Sequence, residues 1–134
     1  MFDDAISDLT GIEAFVNLTK LTCSNNELTN LDVSNNIALT ELLCSSNSLE
    51  NLDVTNNVAL TRLWCNNNSL TSLDITKNTV LTEVWCQDNL LENLDVSKNT
   101  ILNHLSCDNN SLTSLDVSNN IACLLYTSPS PRDS

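Results

Sequence analysis

Glycine occurs once in the 134 residues, at Gly11. Chains rich in tight turns normally take their left-handed positions from glycine, so another residue must supply them here. Asparagine tolerates that conformation. Pairs such as Asn35-Asn36 and Asn56-Asn57 are expected to fill it. The scarcity of glycine also excludes a glycine-flanked nucleophile elbow. Aromatic residues make up only 4%, so the core must be aliphatic. Lysine and arginine number 5 against 17 acidic residues, for a net charge of -12. That balance excludes a nucleic-acid backbone, which needs clustered cations, and an anionic membrane surface. It favours solubility, a cationic partner or cation binding. No apolar run reaches the ~18–20 residues that span a bilayer, so no membrane insertion is expected. The opening MFDDAISDL is acidic where a signal peptide would be basic. The chain is therefore expected to be cytoplasmic or an internal piece of an exported protein.

What the sequence does contain is one unit repeated. Leu60–Asn78, LTRLWCNNNSLTSLDITKN, recurs 21 residues upstream as LTELLCSSNSLENLDVTNN and 21 downstream as LTEVWCQDNLLENLDVSKN. Further copies begin at Leu18 and Leu102. Such a period signals a solenoid whose coils bury one another's apolar faces. Each unit is also doubled internally. L-x-x-L-x-C-x-x-N is followed by L-x-x-L-D-V-S-x-N, and both halves alternate apolar and intervening residues. That alternation is strand periodicity. It predicts a mainly β repeat solenoid with two short parallel strands per coil, little or no helix, and a strand spacing of roughly 4.8 Å.

The repeat resembles the leucine-rich-repeat family, and within it the nested 21-residue bacterial class in which cysteine replaces a strand leucine. The resemblance covers about Leu18 to Ala122. It implies an open, curved, right-handed solenoid that binds a partner, protein or polysaccharide, on its strand-lined face. It also implies an extracellular or cell-surface location in a bacterial adhesion or secreted protein, as part of a longer array with further repeats.

Three segments follow. Residues 1–17 carry Ile6, Leu9, Ile12 and Phe15 at three-residue spacing without the Cys-Asn signature, and are expected to be an N-terminal cap or degenerate coil. Residues 18–122 are five repeats. Residues 123–134 break the pattern. CLLYTSPSPRD resembles the translated read-through of a sequencing adaptor, and the segment is expected to be a non-native or disordered tail.

Column by column, most positions read as structural. Cys23, Cys44, Cys65, Cys86 and Cys107 form a line, not the converging set that zinc or a disulfide needs. They are expected to be buried small apolar residues. Asn26, Asn47, Asn68, Asn89 and Asn110 suit a ladder of side-chain amides bonded to the turns. Asp32, Asp53, Asp74, Asp95 and Asp116 could bond turn N–H groups or hold cations between coils. Calcium, however, needs 6–8 oxygens, and one carboxylate per coil is thin. No metal or other cofactor is expected.

The outward columns of the first half vary while the frame is constant. They are Lys20, Glu41, Arg62, Glu83, His104; then Thr22, Leu43, Trp64, Trp85, Ser106; then Ser24, Ser45, Asn66, Gln87, Asp108. Leu43, Trp64 and Trp85 are adjacent in one column and should form an exposed apolar patch, the mark of a binding site. Arg62, Asn66, Glu83, Gln87 and His104 would surround it. Indole faces suit sugar rings, and the Arg-Glu surround suits protein. His104, Ser106 and Asp108 are too widely spaced along one strand for a backbone-dictated triad, and no enzyme is expected. Two further readings remain. One is a spacer with no ligand of its own. The other is an ice- or cation-binding solenoid, for which Thr19, Thr40, Thr61 and Thr82 form a column that Asn103 breaks.

Overall fold

In a computed structural model, residues 5–122 and 125–127 are described. They form a parallel β-solenoid. Strands β1 (Lys20–Thr22), β2 (Glu41–Leu43), β3 (Arg62–Trp64), β4 (Glu83–Trp85), β5 (His104–Ser106) and β6 (Leu125–Thr127) build one parallel sheet in sequence order. The register pairs residues one period apart, as in Arg62 with Glu83 and Trp64 with Trp85. The central residue of each of β1 to β5 is buried, and its neighbours face outward. The only helical element among the described residues is a 3-10 turn, Ile12–Ala14, entered through Gly11 at φ 107°.

The core is one continuous aliphatic cluster. Leu42, Leu49, Leu60, Leu63, Leu70 and Leu81 are fully buried, and the cysteine column lies among them. Burial raises the Cys44, Cys65 and Cys86 thiols well above their ordinary range and lifts Cys23 to about 11. Protonated, buried thiols pack as small apolar groups and are inert.

The second half of each coil differs from its expected strand. Leu31, Asp32 and Val33 keep the alternation of buried and exposed, but the segment joins no sheet. Asp32 Oδ1 accepts from the Ser34 N–H at 3.0 Å and the Ser34 hydroxyl at 2.6 Å. The same bonds recur at Asp53 and Asp74. A local side-chain bond of this kind competes with the inter-coil ladder.

Asparagine supplies left-handed positions, but not at the expected pairs. Positive φ falls at Asn25, Ser46, Asn67, Asp88 and Asn109, one per coil, beside the Asn26 column. Asn36, Asn57, Asn78, Asn99 and Asn120 are instead buried. They form a second ladder, in which Asn57 Nδ2 donates to Val33 O and Asn36 O of the preceding coil, both at 2.9 Å. The first ladder is denser. Asn47 Nδ2 donates to Cys23 O at 3.0 Å and Cys44 O at 3.1 Å, and its Oδ1 accepts from the Leu28 N–H at 2.9 Å.

The N-terminal segment imitates a half coil. Asn36 Nδ2 donates to Ile12 O and Phe15 O, where later coils offer a Val or Ile and an Asn carbonyl. Ile6, Leu9 and Ile12 pack on the core. Of the segment expected to be a tail, Leu125–Thr127 pairs with β5 because Leu125 stands one period after His104. Cys123 and Leu124, and residues 128–134, lie outside the described residues.

Candidate functional site

The outward face of the sheet collects the variable columns. Its first column alternates in charge from Lys20 to Glu83, and these four residues are linked by ion pairs. Lys20 reaches Glu41 at 3.6 Å, Glu41 reaches Arg62 at 3.8 Å, and Arg62 reaches Glu83 at 3.6 Å. Opposite charges directly across a sheet stabilise it modestly. Arg62 also lies over the Trp64 ring, 5.8 Å from its centroid.

Trp64 and Trp85 stack with ring centroids 4.1 Å apart and an interplanar angle of 4°. Side-by-side rings could not approach so closely, so the indoles meet face to face. Parallel pairing of neighbouring strands brings them there. The expected open patch is therefore half-buried: the rings cover each other and turn their edges outward. The outer face of Trp85 has His104 against it, 5.7 Å away and tilted by 35°. Leu43 adjoins Trp64 in the register and is half-buried too.

The two indoles differ in one respect. Trp64 Nε1 donates to Glu83 Oε2 of the next coil at 2.6 Å. One coil on, that place is held by His104, and Trp85 Nε1 is buried without a partner. Gln87 Oε1, two residues along the same outward face, is likewise buried and unpaired. Buried polar atoms left unpaired cost free energy.

Asn66 sits lower than expected. It is buried, and its Oδ1 accepts the Ser45 hydroxyl at 2.5 Å. His104 and Ser106 come closer than backbone spacing suggests, with Nε2 and Oγ 3.3 Å apart. Side chains on one face of a strand can lean together. No hydrogen bond joins Asp108 to His104 among the described residues, so no orienting carboxylate completes a triad. The Asp column carries its Ser or Thr bonds and a lowered pKa at each position. No group of three or more potential metal ligands occurs among the described residues. No described helix is long and apolar enough to cross a membrane.

Sequence inspection missed the charge ladder, although its signal was present: Lys20, Glu41, Arg62 and Glu83 alternate in sign along one column. The second asparagine ladder has the same period as the first, and that period alone does not distinguish a buried ladder from exposed turn residues.

The coil geometry is shared by known proteins. The functional domain of InlJ from Listeria monocytogenes, which includes a cysteine ladder, superposes with a TM-score of 0.89 at 38% identity, over 91% of this chain and 27% of that one. Internalin InlF from Listeria monocytogenes superposes with a TM-score of 0.89 at 20% identity, over 94% of this chain and 39% of that one. The APL1 leucine-rich repeat domain gives 0.74 at 25% identity, over 84% and 33%. The chain thus spans well under half the length of these solved proteins. No protein-family model and no curated protein matches it. Repeat, register and cysteine column together make this chain a leucine-rich-repeat solenoid of the 21-residue bacterial class.

Proposed function

We propose that this is a non-enzymatic binding module of a bacterial surface or secreted protein, and that its ligand is a protein gripped by the sheet face around Trp64 and Trp85. The observation that carries the reading is the indole stack. Two large side chains are locked by mutual contact, by Glu83 on one ring nitrogen and by Arg62 over one face. A pre-ordered aromatic anchor loses little entropy on binding, and Trp is enriched at interface hot spots. The fixed frame and varied outward columns support the same reading.

Protein is favoured over polysaccharide by the ring orientation. A sugar stacks on an indole face, and here the inner faces are used by the other ring while the outer ones meet Arg62 and His104. Ring edges framed by Lys20, Glu41, Arg62 and Glu83 suit a peptide surface with its own charges. The ice-binding alternative loses support at the threonine column. Thr40, Thr61 and Thr82 each donate their hydroxyl to the preceding threonine's carbonyl at 3.1 Å.

The test is a screen of the labelled chain against arrayed proteins and arrayed glycans. Each hit is then measured again with the Trp64→Ala/Trp85→Ala double variant. We expect protein hits that weaken about 100-fold or more in the variant, with the circular dichroism spectrum unchanged. Hits confined to glycans, or protein hits indifferent to the double substitution, would remove the proposed site. A screen with no hits of either kind favours the spacer reading.

A further inference from the structure

A second surface is unaccounted for, at the corner that precedes the sheet. Each coil makes two consecutive turns there. In the third coil they are closed by the Asn78 N–H on Ile75 O at 3.1 Å and the Leu81 N–H on Asn78 O at 3.2 Å. The tips of the second turn hold Ile37 and Val58 at their first position, and Val80 and Ile101 at their second, after Thr79 and Thr100; Val16 and Ile121 stand at the first position in the end coils. All six are exposed, from 39% at Val80 to 90% at Ile121. Turn tips ordinarily favour Gly, Pro, Asn, Asp and Ser. Branched aliphatic side chains there serve no turn geometry and leave a contiguous apolar stripe in water.

We propose that this stripe is a homodimer interface in which two copies of the chain pack antiparallel. The central order, Ile37, Val58, Val80, Ile101, is the same read from either end, with the aliphatic side chain at the first tip position in one half and at the second in the other. A two-fold axis across the stripe brings Ile37 beside the second copy's Ile101, and Val58 beside its Val80, each pair staggered by one residue so that the side chains interdigitate. A self-complementary patch is what an isologous interface requires.

Charge selects the antiparallel direction. Lys77 and Lys98 stand at the tips of the preceding turn in the coils of Val80 and Ile101, and both are exposed. The coils of Ile37 and Val58 have Asn35 and Asn56 there. Asp74 and Asp95 therefore feel a neighbouring lysine, whereas Asp32 and Asp53 do not. An axis across the stripe keeps the lysine column on one side in both copies and reverses its order. The lysine-bearing half of each copy then meets the half of the other where Asp32 and Asp53 lack a cation. A parallel arrangement offers no such match. Six aliphatic side chains fall short of the roughly 800 Å² per partner of a standard interface. The dimer is accordingly a weak, reversible one, and it leaves the Trp64–Trp85 site as a separate surface.

Sedimentation equilibrium of the whole chain under reducing conditions, up to about 1 mM, tests this. We expect a concentration-dependent monomer–dimer equilibrium. Val58→Asp with Val80→Asp places unpaired charges at the centre and should weaken it about 100-fold with the fold intact by circular dichroism. Lys77→Glu with Lys98→Glu should weaken it about 10-fold, and adding Asn35→Lys with Asn56→Lys should restore it. A chain that stays monomeric throughout overturns the proposal. So does a dimer indifferent to the aspartates. Failure of the charge exchange to rescue overturns the antiparallel arrangement.

Discussion

Leu60–Asn68 and Leu70–Asn78 share one skeleton within a single coil, and they hold the solenoid together in different ways. In the first half, the backbone itself runs from coil to coil. The Cys65 N–H donates to Trp85 O at 2.8 Å, and the Asn67 N–H to Gln87 O at 3.0 Å. In the second half Asp74 takes the Thr76 N–H and hydroxyl for itself. Beyond Leu70, whose carbonyl still accepts the Leu90 N–H at 2.8 Å, the coil-to-coil bonds come from Asn78 Nδ2, to Val54 O at 2.9 Å and Asn57 O at 2.8 Å. One aspartate at the central position thus separates a sheet strand from a capped turn. The sheet half is also the half whose outward columns vary, so recognition sits where the backbone ladder is continuous.

The two asparagine ladders provide the strongest test of that difference. Asn68 Oδ1 is the acceptor for the Leu49 N–H, and Nδ2 serves Cys44 O and Cys65 O at 3.1 Å each. Replacing it with alanine strands a buried donor and weakens two acceptors. Asn78→Ala removes only donors, and the Asn78 Oδ1 it deletes is itself buried and unpaired. We expect Asn68→Ala to cost about 3–4 kcal/mol and Asn78→Ala about 1–2 kcal/mol, on the usual price of an unmet buried group. Urea unfolding of the two variants decides it. Equal losses would mean that the second half depends on its side-chain ladder as heavily as the first.

Acid should separate the halves next. The bonds from Ser and Thr hold the carboxyls of Asp32, Asp53, Asp74, Asp95 and Asp116 below the ordinary 3.8. A carboxyl depressed by folding contributes stability that is full above its unfolded pKa and is lost as pH falls through the folded value. The melting temperature should therefore fall below about pH 4. Asp74→Asn keeps the Oδ1 acceptor and cannot titrate, so it should make that fall shallower. Melting curves between pH 7 and about pH 2.5 check the sign. An acid limb unchanged in Asp74→Asn would locate the sensitivity away from Asp74.

Most of this architecture was legible before any coordinates. Period 21 placed every buried leucine and cysteine, because stacking forces equivalent residues into columns. What a period cannot express is which partner each polar group takes. Asn26 and Asn36 both stand three residues after a buried Cys or Val, yet only Asn26 accepts a backbone N–H through its Oδ1. Asn25, not Asn35 or Asn36, takes the left-handed position, and its N–H still donates to Ser45 O of the next coil at 2.9 Å. Trp64 and Trp85 were correctly placed in one outward column. Their exposure was overstated because an alternation pattern reports which face a side chain leaves from, not what it then stacks on.

The smallest effect concerns a pair of threonines at equivalent places in the two halves. Thr61 is half-buried and donates its hydroxyl to Thr40 O at 3.1 Å, a carbonyl that already accepts the Thr61 N–H at 2.8 Å. Thr71, at the matching place in the second half, is exposed. Valine preserves the branched shape that suits an extended chain, so substitution isolates the hydroxyl. Thr61→Val should cost about 0.5–1 kcal/mol, a crowded bond at the low end of the usual range, and Thr71→Val should be neutral within about 0.5 kcal/mol. Differential thermal melting resolves the two. A neutral Thr61→Val would mean that shape alone holds the column, which would free its hydroxyls to order water. The threonine carbonyl bonds would then no longer count against an ice-binding face, and thermal hysteresis would become the measurement to make.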